Sequence, residues 1–289
     1  MSPKVIESVV EAYLDTEDSP EISNPIHSTE IAKVYGFDGP LVGGVTVWGW
    51  ATDAILEALG EAWLEEGWAE YSFRQPVFPG DLLHIKLTQN INLKTHLDGC
   101  SWEVEITNQS GVKCVIGQVG TGEVSWAGEF VRPSRMTPVS SPNRDYLTLS
   151  STQIGRSWYP LKENFNQSLA TEFISAKQHT KNPLFLASRS KKTIAHPSWT
   201  AGWAERLMRH SFDIPSSMHT KSRIKHHAVI PVGTDVIGGA YVVDIYESKA
   251  HHFVNFDVLL QANSGDDIAQ IRHWTIFKIA TPEERMALS

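Results

Sequence analysis

The stretch Gly43-Gly44-Val45-Thr46-Val47-Trp48-Gly49-Trp50-Ala51-Thr52-Asp53-Ala54-Ile55-Leu56-Glu57-Ala58-Leu59 decides the fold. Trp48, Ala51, Ile55, Leu59 and Ala62 recur at spacings of three and four, which puts one apolar stripe on a helix running from Gly44 to about Gly67. Gly67 stands where a C-terminal cap would end it. Asp53, Glu57, Glu61 and Glu65 recur every fourth residue on another face. With no histidine on that stripe they read as a solvated acidic face rather than a metal site.

Strand signals follow at once. Leu83, Ile85 and Leu87 alternate with His84, Lys86 and Thr88, and Trp102, Val104 and Ile106 alternate with Glu103, Glu105 and Thr107. Asp98-Gly99 between them favours a tight hairpin turn, Asn108 to Gly111 reads as a second turn, and residues 111–125 form another strand-like run. A helix followed by hairpin-linked strands predicts that the helix lies on one face of an antiparallel sheet.

The same grammar then repeats. Asn24-Pro25-Ile26-His27 is echoed by Asn182-Pro183-Leu184-Phe185, the helix start at Gly44 by one at Pro197, and Pro79-Gly80-Asp81 by Val232-Gly233-Thr234-Asp235. The offsets are 158, 153 and 153 residues, in the same order along the chain. Trp199, Trp203 and Leu207 mark the second helix, and residues 242–245, 253–260 and 271–279 supply further strands. Between the copies Pro133, Pro138, Pro142 and Pro160, with Ser140, Ser141, Ser150 and Ser151, mark an irregular connector. The division expected is a lobe at 1–128, a connector at 129–160 and a second lobe at 161–289.

Composition narrows the partners. The 289 residues carry 25 Lys and Arg against 33 Asp and Glu, a net charge of −8, which offers a phosphate backbone no attraction. No nucleic acid is therefore expected. No apolar run reaches the roughly 18 to 20 residues needed to span a bilayer, and residues 1–11 lack the pattern of a signal peptide, so a soluble, cytoplasmic chain with no membrane partner is expected. Cys100 and Cys114 are too few for a disulfide framework or a four-cysteine zinc site. His226-His227 and His251-His252 lie on strand-like runs, where neighbours point to opposite faces and each pair can offer one ligand only. Trp48, Trp50, Trp199 and Trp203 read as core packing ahead of an acyl-chain pocket.

Asn24-Pro25-Ile26-His27, Gly36-Phe37-Asp38-Gly39-Pro40-Leu41-Val42-Gly43-Gly44 and Pro76-Val77-Phe78-Pro79-Gly80-Asp81 together resemble the MaoC-like (R)-specific enoyl-CoA hydratases and dehydratases. The resemblance covers nearly the whole first lobe, and Ala195-His196-Pro197 opens the second helix as the family's Ala-His-Gly does. It implies an α+β double hot-dog fold: two antiparallel sheets, each wrapping a long central helix, joined as a pseudo-dimer. It also implies hydration of an acyl thioester carried on coenzyme A or an acyl carrier, with no further cofactor, and leaves a homodimer open.

The family's motif, Asp-x-Asn-Pro-(apolar)-His, maps onto Asn24 and His27, but its Asp position holds Ile22. In the second lobe Phe185 and Thr180 stand at the His and Asp positions. Hydration of an enoyl thioester needs a base, a proton for the α-carbon and a donor for the enolate oxygen. His27 is the candidate base and the Gly44 N–H the candidate donor, since a helix start has unpaired amides. Two rescues of the missing carboxylate suggest themselves. One is the acidic segment Asp15, Glu17, Asp18 and Glu21, with Glu21 next to Ile22; it also reads as an exposed loop. The other is His196 or His219 from the second lobe. His27 could instead close a turn, and His196 could cap its helix. Two other readings stay open: a hot-dog thioesterase, for which Asp53 is the candidate carboxylate, and a thioester-binding protein without chemistry.

Overall fold

A computed structural model describes residues 2–14, 24–91, 99–187 and 192–287. The first lobe contributes β1 (Val5–Glu11), β2 (Trp68–Phe73), β3 (Leu82–Gln89), β4 (Ser101–Thr107) and β5 (Lys113–Gly120). Its helices are α1 (Thr29–Val34), α2 (Gly44–Gly49), α3 (Thr52–Leu59) and α4 (Trp63–Glu66). A short strand β6 (Asp145–Tyr146) lies in the connector. The second lobe adds β7 (Leu161–Phe165), α5 (Gln167–Phe173), α6 (Pro197–Ala201), α7 (Trp203–Ser211) and β8 (Phe212–Asp213). It continues with β9 (Met218–His226), β10 (Thr234–Ser248), β11 (His251–Ala262), β12 (Asp267–Lys278) and α8 (Pro282–Met286).

Ten of these strands form one antiparallel sheet in the order β1-β3-β4-β5-β2-β9-β12-β11-β10-β7. The first five belong to one lobe and the last five to the other, so the order reads as a palindrome about the β2–β9 seam. The two expected sheets are thus continuous, with Trp68 to Ser72 paired to Lys225 to Lys221 across the seam. Alternation places the residues as expected: Leu83, Ile85, Leu87, Val104 and Ile106 are buried, while His84, Lys86 and Glu103 are exposed.

The central helices pack on the inner face, with Trp48, Trp199 and Trp203 almost wholly buried. Trp48 stacks on Tyr71 of β2 at 4.1 Å, and Gly238 of β10 leaves room for the Trp203 ring, which a Cβ there would meet at 2.6 Å. The expected single helix from Gly44 to Gly67 is instead broken. The helix ends at residues 50–51, resumes as α3 and stops at Gly60, whose φ of 78° is a left-handed value that glycine adopts without strain. Gly67 follows the separate short helix α4. The second lobe breaks its helix at the matching place, Gly202.

Duplication extends to individual hydrogen bonds. His27 N–H donates to Asn24 O at 3.1 Å, and Phe185 N–H to Asn182 O at 3.1 Å. Val42 N–H donates to Val77 O at 2.8 Å, and Ala195 N–H to Ile230 O at 2.8 Å. Gly43 therefore corresponds to His196, and Gly44 to Pro197.

The connector has little regular structure yet is pinned along its length. Its first part crosses the outer face of the second lobe. Glu129 pairs with Arg223 of β9 and Arg272 of β12, Val131 N–H donates to Asp257 of β11, and Met136 fills the space above Gly239 of β10. Asp257 is fully buried and accepts from the Arg272 guanidinium at 2.7 and 2.8 Å. Leu147 and Trp158 then tuck into the core. A strap held by buried charge fixes the connector against the sheet.

Candidate active site

Pro25 starts a single 3-10 turn, Pro25–His27, which Ile26 anchors in the core at 2% exposure. The turn presents the His27 ring to the chain that enters α2. Its Nδ1 lies 2.5 Å from the carbonyl oxygen of Leu41. A carbonyl only accepts, so Nδ1 carries the proton and Nε2 keeps its lone pair. The ring runs beside Gly43, where a Cβ would lie 3.5 Å from Cε1 and 3.7 Å from Nε2.

His27, Gly43, Gly44, Phe73, Ser217 and His219 are among the residues around a cavity of about 170 Å³. Ser217 and His219 come from the second lobe, so the cavity sits on the lobe seam. It lies between the start of α2 and the start of β9. The Gly44 N–H makes no hydrogen bond to a described residue, and the Phe73 ring covers this glycine so closely that a Cβ would fall 2.9 Å from it.

Burial holds the His27 imidazole below its ordinary value. The Leu41 carbonyl opposes that shift, as does the carboxylate of Glu205, while Lys177 and Arg209 add to it. At neutral pH the ring is uncharged and basic at Nε2.

Asn24 does not face this cavity. Its Nδ2 donates to Ser217 O at 2.9 Å and Oγ at 3.1 Å, and its Oδ1 accepts from Ser217 N–H at 3.2 Å. Ser217 in turn donates to Glu205 at 2.6 Å, and Arg209 donates to both. Asn24, the motif position that the sequence offered as a site residue, is thereby engaged in clamping the two lobes beside His27. Ile22, Glu21 and the rest of the acidic segment lie outside the described residues. Among the described residues no carboxylate hydrogen-bonds the His27 ring.

His196 is not part of this cavity, which corrects its place in a composite site. It caps α6: its Nδ1 accepts from Ser198 N–H at 3.3 Å and pairs with Ser198 Oγ at 2.8 Å. Burial pushes it down to about 3, and Phe185 packs against it with ring centres 4.6 Å apart. Where the first lobe has an imidazole and a glycine amide, the second has a phenyl ring and Pro197, which has no N–H to donate. His196 instead borders a second cavity of about 290 Å³, with Asp53, Gln178 and Thr180. Asp53 accepts from Thr180 Oγ1 at 2.8 Å. Glu57, Glu61 and Glu65 are exposed, and among the described residues no cluster of His, Cys, Asp and Glu could hold a metal ion.

Sequence reasoning did not single out Phe73, Ser217, Glu205 or Arg209. These sit on a seam whose partners are far apart along the chain, and no local motif marks them.

No family model matches the sequence, and no curated protein matches it. Solved structures do match. A MaoC-like dehydratase aligns over 88% of this chain and 89% of its own, at 15% identity and a TM-score of 0.58. A MaoC domain protein from Chloroflexus aurantiacus J-10-fl aligns over 97% and 96%, at 10% identity and a TM-score of 0.66. A conserved hypothetical protein from Mycobacterium tuberculosis with a double hotdog fold aligns over 96% of each chain, at 11% identity and a TM-score of 0.64. Coverage of 88 to 97% of this chain and the palindromic ten-stranded sheet lead to one conclusion about architecture: this chain has the double hot-dog fold.

Proposed function

We propose that the protein is a hydro-lyase that adds water reversibly to a 2-enoyl thioester, with His27 as base and the Gly44 amide as enolate donor. The observation that carries the reading is the Leu41 carbonyl, which fixes the proton on Nδ1 of His27 and leaves Nε2 bare beside the α2 start. A neutral buried imidazole can take a proton from water as the oxygen attacks the β-carbon. The displaced electron pair moves to the thioester oxygen, where the Gly44 N–H is the available donor. Nε2 then returns the same proton to the α-carbon on the same face, giving a 3-hydroxyacyl thioester by syn addition. One imidazole thus serves as base and acid in turn, and no net charge is left on the protein.

A second reading has its own observation: Asp53 borders the other cavity, where Thr180 holds its carboxylate. A carboxylate there could activate water against a thioester carbonyl and release a thiol. A panel of 2-enoyl, 3-hydroxyacyl and saturated acyl thioesters separates the two. Loss of the conjugated thioester absorbance without free thiol supports hydration. Thiol release abolished by Asp53→Asn supports hydrolysis, and saturable binding with neither supports a binding protein.

A further inference from the structure

A second imidazole borders the His27 cavity. His219, on β9, packs against Phe73 at 4.6 Å and His273 at 4.0 Å between ring centres. Its Nε2 lies 3.1 Å from Lys221 O and 2.7 Å from Ser222 Oγ. The Lys221 carbonyl can only accept, so Nε2 carries the proton and Nδ1 has a bare lone pair. That Nδ1 is buried and has no hydrogen-bond partner among the described residues. Burial pushes the ring down to about 3, so it stays neutral. An unsatisfied buried acceptor destabilises a fold and calls for a reason.

Phe73 supplies one. Its ring rests on Gly44 at 2.9 to 3.1 Å from the place a Cβ would take, and its other neighbours include His219. One side chain at the end of β2 therefore lies over the amide donor and against the His219 ring.

We propose that His219 Nδ1 is the second water-holding group of the site, accepting one hydrogen of the water whose other hydrogen passes to His27 Nε2. The Phe73 ring turns aside to admit that water and the thioester. In the step, the water oxygen bonds to the β-carbon, one proton goes to His27, and the other stays on the new hydroxyl in its hydrogen bond to Nδ1. His219 never takes a proton, so no charge is buried on it. This is an acceptor role that Ile22, in the motif's Asp position, cannot fill, and it rests on the hydration reading.

The test compares wild type with His219→Leu, His219→Asn and His27→Ala. Imidazole nitrogen NMR should show His219 protonated at Nε2 and bare at Nδ1. His219→Leu should lose about tenfold or more in kcat with KM little changed, while His219→Asn, which keeps an amide oxygen near the Nδ1 position, retains most of the rate. Equal losses in the Leu and Asn variants would reveal a packing role and overturn the proposal. So would an Nδ1-protonated tautomer, or a fully active His219→Leu beside an inactive His27→Ala, although the hydration reading would survive both. A wild type without hydration activity would sink the reading and this role together.

Discussion

The Nδ1 of His27 lies 2.5 Å from the carbonyl oxygen of Leu41, 14 residues further along the chain. That single contact joins the Asn-Pro turn to the approach of the central helix and decides which ring nitrogen is basic. Leu41 is itself tethered, its N–H donating to Ile26 O at 3.3 Å, so the tautomer is set by backbone geometry and needs no carboxylate.

Gly44→Ala should injure the site by overpacking. Its Cβ would fall 2.9 to 3.1 Å from three Phe73 ring carbons, which must shift. A cost of about 1–3 kcal/mol is expected in chemical denaturation. In a Phe73→Ala background the same substitution should cost little, whereas an equal loss there would mean that Phe73 is not the obstruction.

The acid limb of hydration should lie below pH 6.5, the ordinary titration point of an imidazole. Burial lowers His27, so its neutral, basic form persists to lower pH than a free histidine would allow. A pH profile of kcat/KM measures this directly. A limb at or above that point would contradict the neutral buried base.

Stability should fall on mild acidification. His196, His219 and His226 are pushed down to about 3 by burial, and His273 lies well below its ordinary value for the same reason. Each takes up a proton on unfolding, so the stabilisation is complete above roughly pH 6.5 and is lost as pH falls toward the folded values. The limiting slope is about 1.4 kcal/mol per pH unit for each histidine. Denaturant titrations at stepped pH between roughly 7 and 4 check it; a flat profile would mean that these rings are charged in the fold.

Asp257→Ala should loosen the connector. It removes the buried carboxylate that the Arg272 guanidinium and the Val131 N–H share, and among the described residues leaves Arg272 only its bonds to Glu129. A loss of about 3 kcal/mol is expected. Limited proteolysis should then cut near residues 129–136, where the wild type resists.

Much of the fold was legible because its signals are local and occur twice. Alternation in β3 and β4, and the paired landmarks at Asn24 and Asn182, Gly44 and Pro197, and Gly80 and Gly233, depend only on neighbouring residues. The length of the first helix was misread because Gly60 breaks a stripe that Trp63 and Leu64 resume in α4. The connector reads as irregular, and its restraints are not legible because they, such as Glu129 with Arg272, join residues 143 positions apart. The site was half legible for the same reason. His27 and Gly44 lie 17 residues apart in two neighbouring motif segments, whereas the clamp from Asn24 to Ser217 spans 193 positions and shows only in the assembled lobes. The sequence leaves His196 open between a site residue and a helix cap, because its Ala-His-Pro context fits both, and the structure has it capping α6.

The most direct test is the rate of hydration of a 2-enoyl thioester by wild type and by His27→Ala, followed through the conjugated absorbance. Measurable turnover is expected in the wild type and a loss of about 10² to 10⁴ in the variant, with His196→Ala nearly unaffected. Turnover that survives His27→Ala, or that vanishes with His196→Ala instead, would contradict that expectation.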